Sequence, residues 1–285
     1  MLFSTKFGVL EEVRSMNNKW SVGWIVGLAA WVPVWGAEEL PVLSAEVSLP
    51  VRSAYVWRGQ VINDEAVFQP ELSVEKYGVG LGLWLNDNLT DNVGEAGDVD
   101  EADWTVYYTR DCGPVNATVG MTEYAYPHQS EPLLIDPEIG VISGGGSVPS
   151  TREVFVELTA AESIEWVCVP VLSLNYDFGQ VDGLYGSLGV NTAIDLPGEG
   201  VSLEMAASLG LGFADYNAYY FGVDTTALND LTAGVAAPIQ LTEEIVLKPG
   251  IEYTVLVDDE IRDAADEEYG HCETWVFALA LEGSF

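Results

Sequence analysis

The sequence predicts an all-β protein: an up-and-down antiparallel transmembrane β-barrel of about 12 strands, with short periplasmic turns and long extracellular loops. Three observations predict it. Runs of roughly ten residues alternate large apolar with small or polar side chains, the connections between them are alternately short and long, and an uncharged apolar segment lies near the start of the chain.

That segment comes first. Residues 20–35, WSVGWIVGLAAWVPVW, carry no charge, follow Lys19 and lead into the small residues Gly36 and Ala37. A membrane-spanning helix needs about 20 apolar residues. This shorter run, broken by Pro33, reads as a secretory signal peptide over 1–37, leaving 38–285 as the barrel. Glu11 and Glu12 are out of place in a positive n-region, and Met16 is an alternative true start that excludes them.

The 285 residues include 10 Lys or Arg and 45 Asp or Glu, a net charge of −35 that excludes nucleic acid as a partner. Without the leader, 7 basic and 43 acidic residues remain. A hydrophobic content of 48%, with 9 Trp, 13 Tyr and 9 Phe, excludes a disordered chain. Cys112, Cys168 and Cys272 are an odd set without CxxC spacing, compatible with one disulfide and one free thiol or with three buried apolar thiols.

The period-two runs fall at 45–57, 67–77, 79–87, 103–111, 114–124, 152–160, 165–177, 183–194, 200–213, 229–239, 244–256 and 272–285. Gly78 separates the second from the third, and Cys112-Gly113 the fourth from the fifth. Residues 161–164, 196–199 and 240–243 follow the sixth, eighth and tenth. The other connections are long, except a shorter one after the seventh run. A soluble sandwich has no reason to keep one end trimmed, whereas an outer-membrane barrel has short periplasmic turns.

The alternation agrees. In the last run Trp275, Phe277, Leu279, Leu281 and Phe285 share one face, and Ala278, Ala280, Glu282 and Ser284 the other. In the ninth, Val201, Leu203, Met205, Leu209, Leu211 and Phe213 alternate with small or polar residues and Glu204. Soluble barrels put the large residues inward; the leader and the turn asymmetry decide for the inverse. Only residues 37–43 precede the first strand, too few for a plug domain. Twelve strands then enclose a narrow lumen, between the filled eight-stranded and the open sixteen-stranded cases.

Two stretches carry a family resemblance. Residues 53–87, SAYVWRGQVINDEAVFQPELSVEKYGVGLGLWLND, resemble the opening hairpins of the TorF-type porin family of Gram-negative outer-membrane β-barrels. Tyr55, Trp57, Arg58, Gly59, Gln69, Gly82 and Trp84 stand at the places of that pattern. The terminal ETWVFALALEGSF is similar to the closing strand of outer-membrane barrels generally. The resemblance implies the bacterial outer membrane as location. It also implies that Phe277, Leu279, Leu281 and Phe285 form the signal read by the barrel-assembly machinery.

Arg58 ends the first run, as the positive side of a constriction or in an ion pair with an interior carboxylate such as Glu71 or Glu75. Glu71, Glu75, Glu204 and Glu282 are lumen or mouth candidates, and Trp84, Tyr107 and Tyr185 are aromatic candidates that would narrow the lumen. Acidic clusters in two long loops, with Asp98, Asp100 and Asp103 in one and Asp258 and Asp259 in the other, are weak calcium candidates, since neither matches an EF-hand spacing. No cofactor is implied. The triple glycine at 144–146 marks a flexible loop or a segment folded into the pore. His128 and His271 lie in loops with no catalytic motif around them, so an enzyme is not expected, although His271 is close to Asp266 in sequence.

The function expected is passive diffusion of small cationic or neutral solutes, with outer-membrane lipid, the assembly machinery and small solutes as partners. The alternative is a closed-lumen barrel acting through its acidic surface loops in adhesion, binding or a structural role.

Overall fold

Twelve strands pair in chain order, each antiparallel to the one before, and the last returns to the first. The computed structural model describes residues 43–129, 134–135, 142–143, 147–161, 168–196, 202–268 and 270–285. The expected leader, the triple glycine at 144–146 and the turn at 162–167 lie outside the described residues.

The strands are β1 (Ser44–Arg52), β2 (Val67–Phe68 and Glu71–Lys76, interrupted at Pro70), β3 (Val79–Asn88), β4 (Val99–Asp111), β5 (Val115–Ala125) and β6 (Thr151–Ala160). They continue as β7 (Val169–Asp177), β8 (Gly183–Asp195), β9 (Ser202–Gly212), β10 (Ala227–Ala236), β11 (Ile245–Leu256) and β12 (Glu273–Ser284). Closure is by β1 on β12, with Glu46 opposite Ser284 and Arg52 opposite Ala278. The start of β1 and the end of β12 share the short-turn side, where Ala45 and Phe285 exchange backbone hydrogen bonds of 3.0 and 2.9 Å. The tightest turn, Tyr77-Gly78, has both residues at positive φ (58° and 78°), the geometry that suits strand twist.

Large apolar side chains face outward. Leu81, Trp104, Leu172, Leu188, Phe277 and Leu279 are all exposed. The inward set includes Asn86, Thr122, Asn175 and Thr254, all buried. In water this arrangement would leave a continuous apolar belt solvated, so the belt faces lipid. Trp104, Tyr176, Tyr253 and Trp275 stand towards its loop-side edge, and Tyr77, Tyr108 and Phe285 at the other. The protein is therefore a transmembrane barrel of the outer membrane. Inside, glycine makes room: a Cβ on Gly80 would overlap the ring of Tyr107, which lies flat against the wall there.

The structure departs from the sequence expectation in three places. The first strand stops at Arg52 rather than 57, because residues 54–63 leave the wall for the lumen. The fourth starts at Val99 rather than 103: Asp100 is an extra residue between Glu101, opposite Asn86, and Val99, opposite Asp87. Such a bulge lets an acidic stretch of poor strand propensity stay in the sheet. Two short helices stand where loops were expected, α1 (Ala214–Phe221) and α2 (Asp259–Glu268).

The helices cap the loop end. Asp258 Oδ1 accepts from the backbone of Glu260 and Ile261 at 3.0 and 3.2 Å, a helix N-cap. Ile261 and Ala265 on one face of α2 are fully buried, in a cluster with Leu256, Tyr216 and Phe221. Ile261→Ala is expected to loosen α2 by about 2–5 kcal/mol. The check is amide exchange: protection falls over 259–268 while the barrel strands keep theirs, and unchanged protection would show that Ile261 does not hold the helix.

Candidate functional site: a luminal plug above an acidic vestibule

The plug is the segment singled out around Arg58. Tyr55–Trp57 pairs with Gln60–Asn63, leaving Arg58-Gly59 as a two-residue turn with φ of 47° and 84°. Two successive positive φ values make the type I′ hairpin turn, which is why the motif reads R-G. The hairpin bends into the barrel. A Cβ on Gly59 would stand 2.5 Å from Leu256 Cδ2 and 2.8 Å from Asp230 Cβ, so only glycine lets the tip press against β10 and β11.

Arg58 reaches β6, not the expected Glu71 or Glu75, which sit on β2 towards the short-turn end. Its two terminal nitrogens donate to Glu153 Oε2 and Oε1 at 2.8 and 2.7 Å. Its guanidinium carbon also lies 4.5 Å from the Trp57 ring centroid and 4.4 Å from that of Tyr185. Burial works against this charge, but the Glu153 carboxylate outweighs it and holds the guanidinium well above its ordinary pKa. Tyr55 donates to Glu101 Oε2 at 2.9 Å. Burial first, then the charges of Glu101 and Asp103, pushes its phenol well up, so Tyr55 remains a donor.

Two further contacts fix the plug. Trp57 packs on Tyr216 and Tyr220 of α1 with centroids 6.4 and 5.2 Å apart. At its base Asn63 donates to Asn88 Oδ1 at 2.9 Å, and Asp64 accepts from Asn92 at 2.6 Å. Asn217 of α1 donates to the carbonyls of Gly212 and Thr225 and accepts from Asn229, which ties the helix to the ends of β9 and β10.

Below the plug the lumen changes character. Inward residues on the loop side, including Asn86, Asp103, Thr105, Thr122 and Asp230, are buried. Those nearer the short turns, including Tyr107, Thr109, Thr118, Ser187, Ser208 and Asn191, are part exposed, so water reaches them. The inward carboxylates include Glu46, Glu71, Glu75, Glu157, Glu204, Glu252 and Glu282. Among the described residues the strands give them two inward bases: Arg52, 3.0 Å from Glu252, and Lys248, whose Nζ lies 3.2 Å from both Glu204 Oε2 and Glu282 Oε2.

Every candidate residue now has a place. Glu71, Glu75, Glu204 and Glu282 all line the vestibule. Trp84 faces inward higher up, 5.5 Å from Tyr55. Tyr185 belongs to the dry core, and Tyr107 to the vestibule wall. Phe277, Leu279, Leu281 and Phe285 are exposed on the outer face.

The weak calcium candidates are dispersed. Asp100 accepts from the amides of Asn86 and Asn88 at 2.7 and 2.8 Å, Asp98 bonds through its backbone, and Asp103 is buried inside β4. Asp258 caps α2 and Asp259 begins it. Among the described residues no three His, Cys, Asp or Glu side chains are grouped to hold a metal. His271 stands 3.4 Å from Asp64 rather than by Asp266, and His128 Nδ1 contacts the Val99 carbonyl. The three cysteines are free thiols.

Known proteins offer likeness in shape. No protein-family model matches the chain, and no curated protein does. The barrel is similar to solved outer-membrane porins. The KdgM porin, in complex with disordered oligogalacturonate, is 9% identical over 85% of this chain and 99% of its own, at a TM-score of 0.46. The NanC porin is 11% identical over 84% and 98%, also at 0.46. An outer-membrane channel from Pseudomonas putida F1 is 13% identical over 90% of this chain and 100% of its own, at 0.42.

Proposed function

We propose that this protein is a TorF-like outer-membrane channel for passive diffusion of small cationic or neutral solutes, with the hairpin plug as the gate at its loop end. The single observation behind this is the water-accessible vestibule, where inward carboxylates outnumber the two inward bases, Arg52 and Lys248. A narrow, low-dielectric tube lined by one sign of charge concentrates the opposite sign. The outer face meets lipid, and the exposed Phe277, Leu279, Leu281 and Phe285 are proposed as the strand read by the assembly machinery.

The test is single-channel conductance in a planar bilayer under a salt gradient. Cation-side reversal potentials are expected, moving towards zero when Glu71, Glu75, Glu204 and Glu282 are replaced by Gln. Anion preference, or no movement, would sink the solute preference. A specific observation favours a second reading: the plug and both helices fill the loop half. A protein shown to be folded that conducts neither intact nor with its hairpin displaced would be a closed barrel acting through its acidic loops.

A further inference from the structure

Glu157 is an inward carboxylate that no described salt bridge reaches. Glu157 on β6 is 8% exposed, accepts a 3.3 Å hydrogen bond from Thr159 through Oε1, and has no donor for its buried Oε2. Across the sheet Glu157 faces Ser173 of β7, and two residues along β7 on the same face is Asn175. Asn175 is 3% exposed; its Nδ2 donates to Ser173 Oγ at 3.3 Å, and its Oδ1 is a second buried acceptor without a donor. The hydroxyls beside them are committed to each other, Ser173 with Ser187 at 2.9 Å and Thr118 with Thr109 at 3.1 Å.

A water could give hydrogen bonds to both oxygens but would leave the charge of Glu157 uncompensated, and a buried carboxylate either gains a counter-charge or takes up a proton. The described luminal bases are engaged elsewhere: Arg58 with Glu153, Arg52 with Glu252 and Lys248 with Glu204 and Glu282. A single carboxylate with amide and hydroxyl oxygens is too little charge for calcium, which draws on several carboxylates. Carbonyl and hydroxyl oxygens do suit an alkali ion. We infer that Glu157 and Asn175 form a binding site for one monovalent alkali cation on the lumen wall beneath the plug. The site deepens the channel reading, on which it rests for its role as a waypoint, and it names the class of ion.

The test is crystallographic and needs no conductance. Crystals of the refolded mature protein are grown with rubidium acetate in place of sodium salts. An anomalous rubidium peak is expected in contact with Glu157 and Asn175, and is expected to vanish in Glu157→Gln crystals. If that variant fails to fold, Asn175→Ala should lower the rubidium affinity by about tenfold, the scale of losing one ligand to a charged group. No peak at the site in the wild type overturns the proposal, as does one that persists unchanged in either variant. A protonated Glu157 gives the first of these outcomes. A conducting protein without the peak refutes the site alone; a peak in a non-conducting protein refutes the channel alone.

Discussion

Replacing Arg58 by Ala is expected to unseat the hairpin and open the loop end of the barrel. The substitution leaves Glu153 as a buried carboxylate, 3% exposed as a side chain, whose remaining described partner is the Tyr124 hydroxyl at 3.2 Å. Breaking one side of such a pair costs about 3–5 kcal/mol. The stacking on Trp57 and Tyr185 goes with it. The barrel ladder needs neither, so the loss falls on the plug. The measurement is amide exchange over 55–63 together with conductance: the variant should exchange faster there and pass more current than wild type. The double change Arg58→Met, Glu153→Leu should recover most of the stability, since it removes both charges. A variant R58A with wild-type exchange and current would show that the ion pair does not hold the plug.

Asp100→Ala is expected to cost about 2–6 kcal/mol, counting about 1–3 for each buried donor left without an acceptor. Asp100 Oδ1 and Oδ2 take the amide hydrogens of Asn86 and Asn88, and both asparagines are fully buried. Asn88 in turn accepts from Asn63 at the hairpin base, and Asn86 accepts from Gln69. The change should lower the thermal midpoint of the refolded protein and raise protease sensitivity over 89–98. Asp100→Asn, which keeps the size but turns one acceptor into a donor, should fall between. A midpoint equal to wild type in Asp100→Ala would mean that water replaces the carboxylate and that the network adds nothing.

The barrel was legible because its rule is local. Alternation in β12 and β9 states which residues face lipid, and turn length states which end is which, so twelve strands could be counted without any long-range contact. The inward placement of Glu71, Glu204 and Glu282 follows from the same parity. The plug was not legible in this way. Its hairpin reads as a continuation of β1, and the partner of Arg58 lies 95 residues away, a pairing that no spacing rule reports. One signal did point to it: R-G between alternating apolar residues is hairpin-turn chemistry, which the structure confirms at φ of 47° and 84°. The helices had weaker marks, Asp258 as a cap with Ile261, Ala264 and Ala265 behind it, hidden inside an acidic run.

The hairpin also bears on the order of assembly. It hangs from β1, the strand that must find β12 to complete the cylinder, yet its tip is held by side chains of β6, β8, β10 and β11. Those four anchors surround a common centre only after the sheet has curled round and its edges have met. Arg58 therefore reports on completion: an unsealed sheet has no place to receive it, and a sealed one gains an apolar core that its wall alone lacks. Late insertion of this kind makes the final step of folding downhill, and it makes reopening the edge costly once the guanidinium is home.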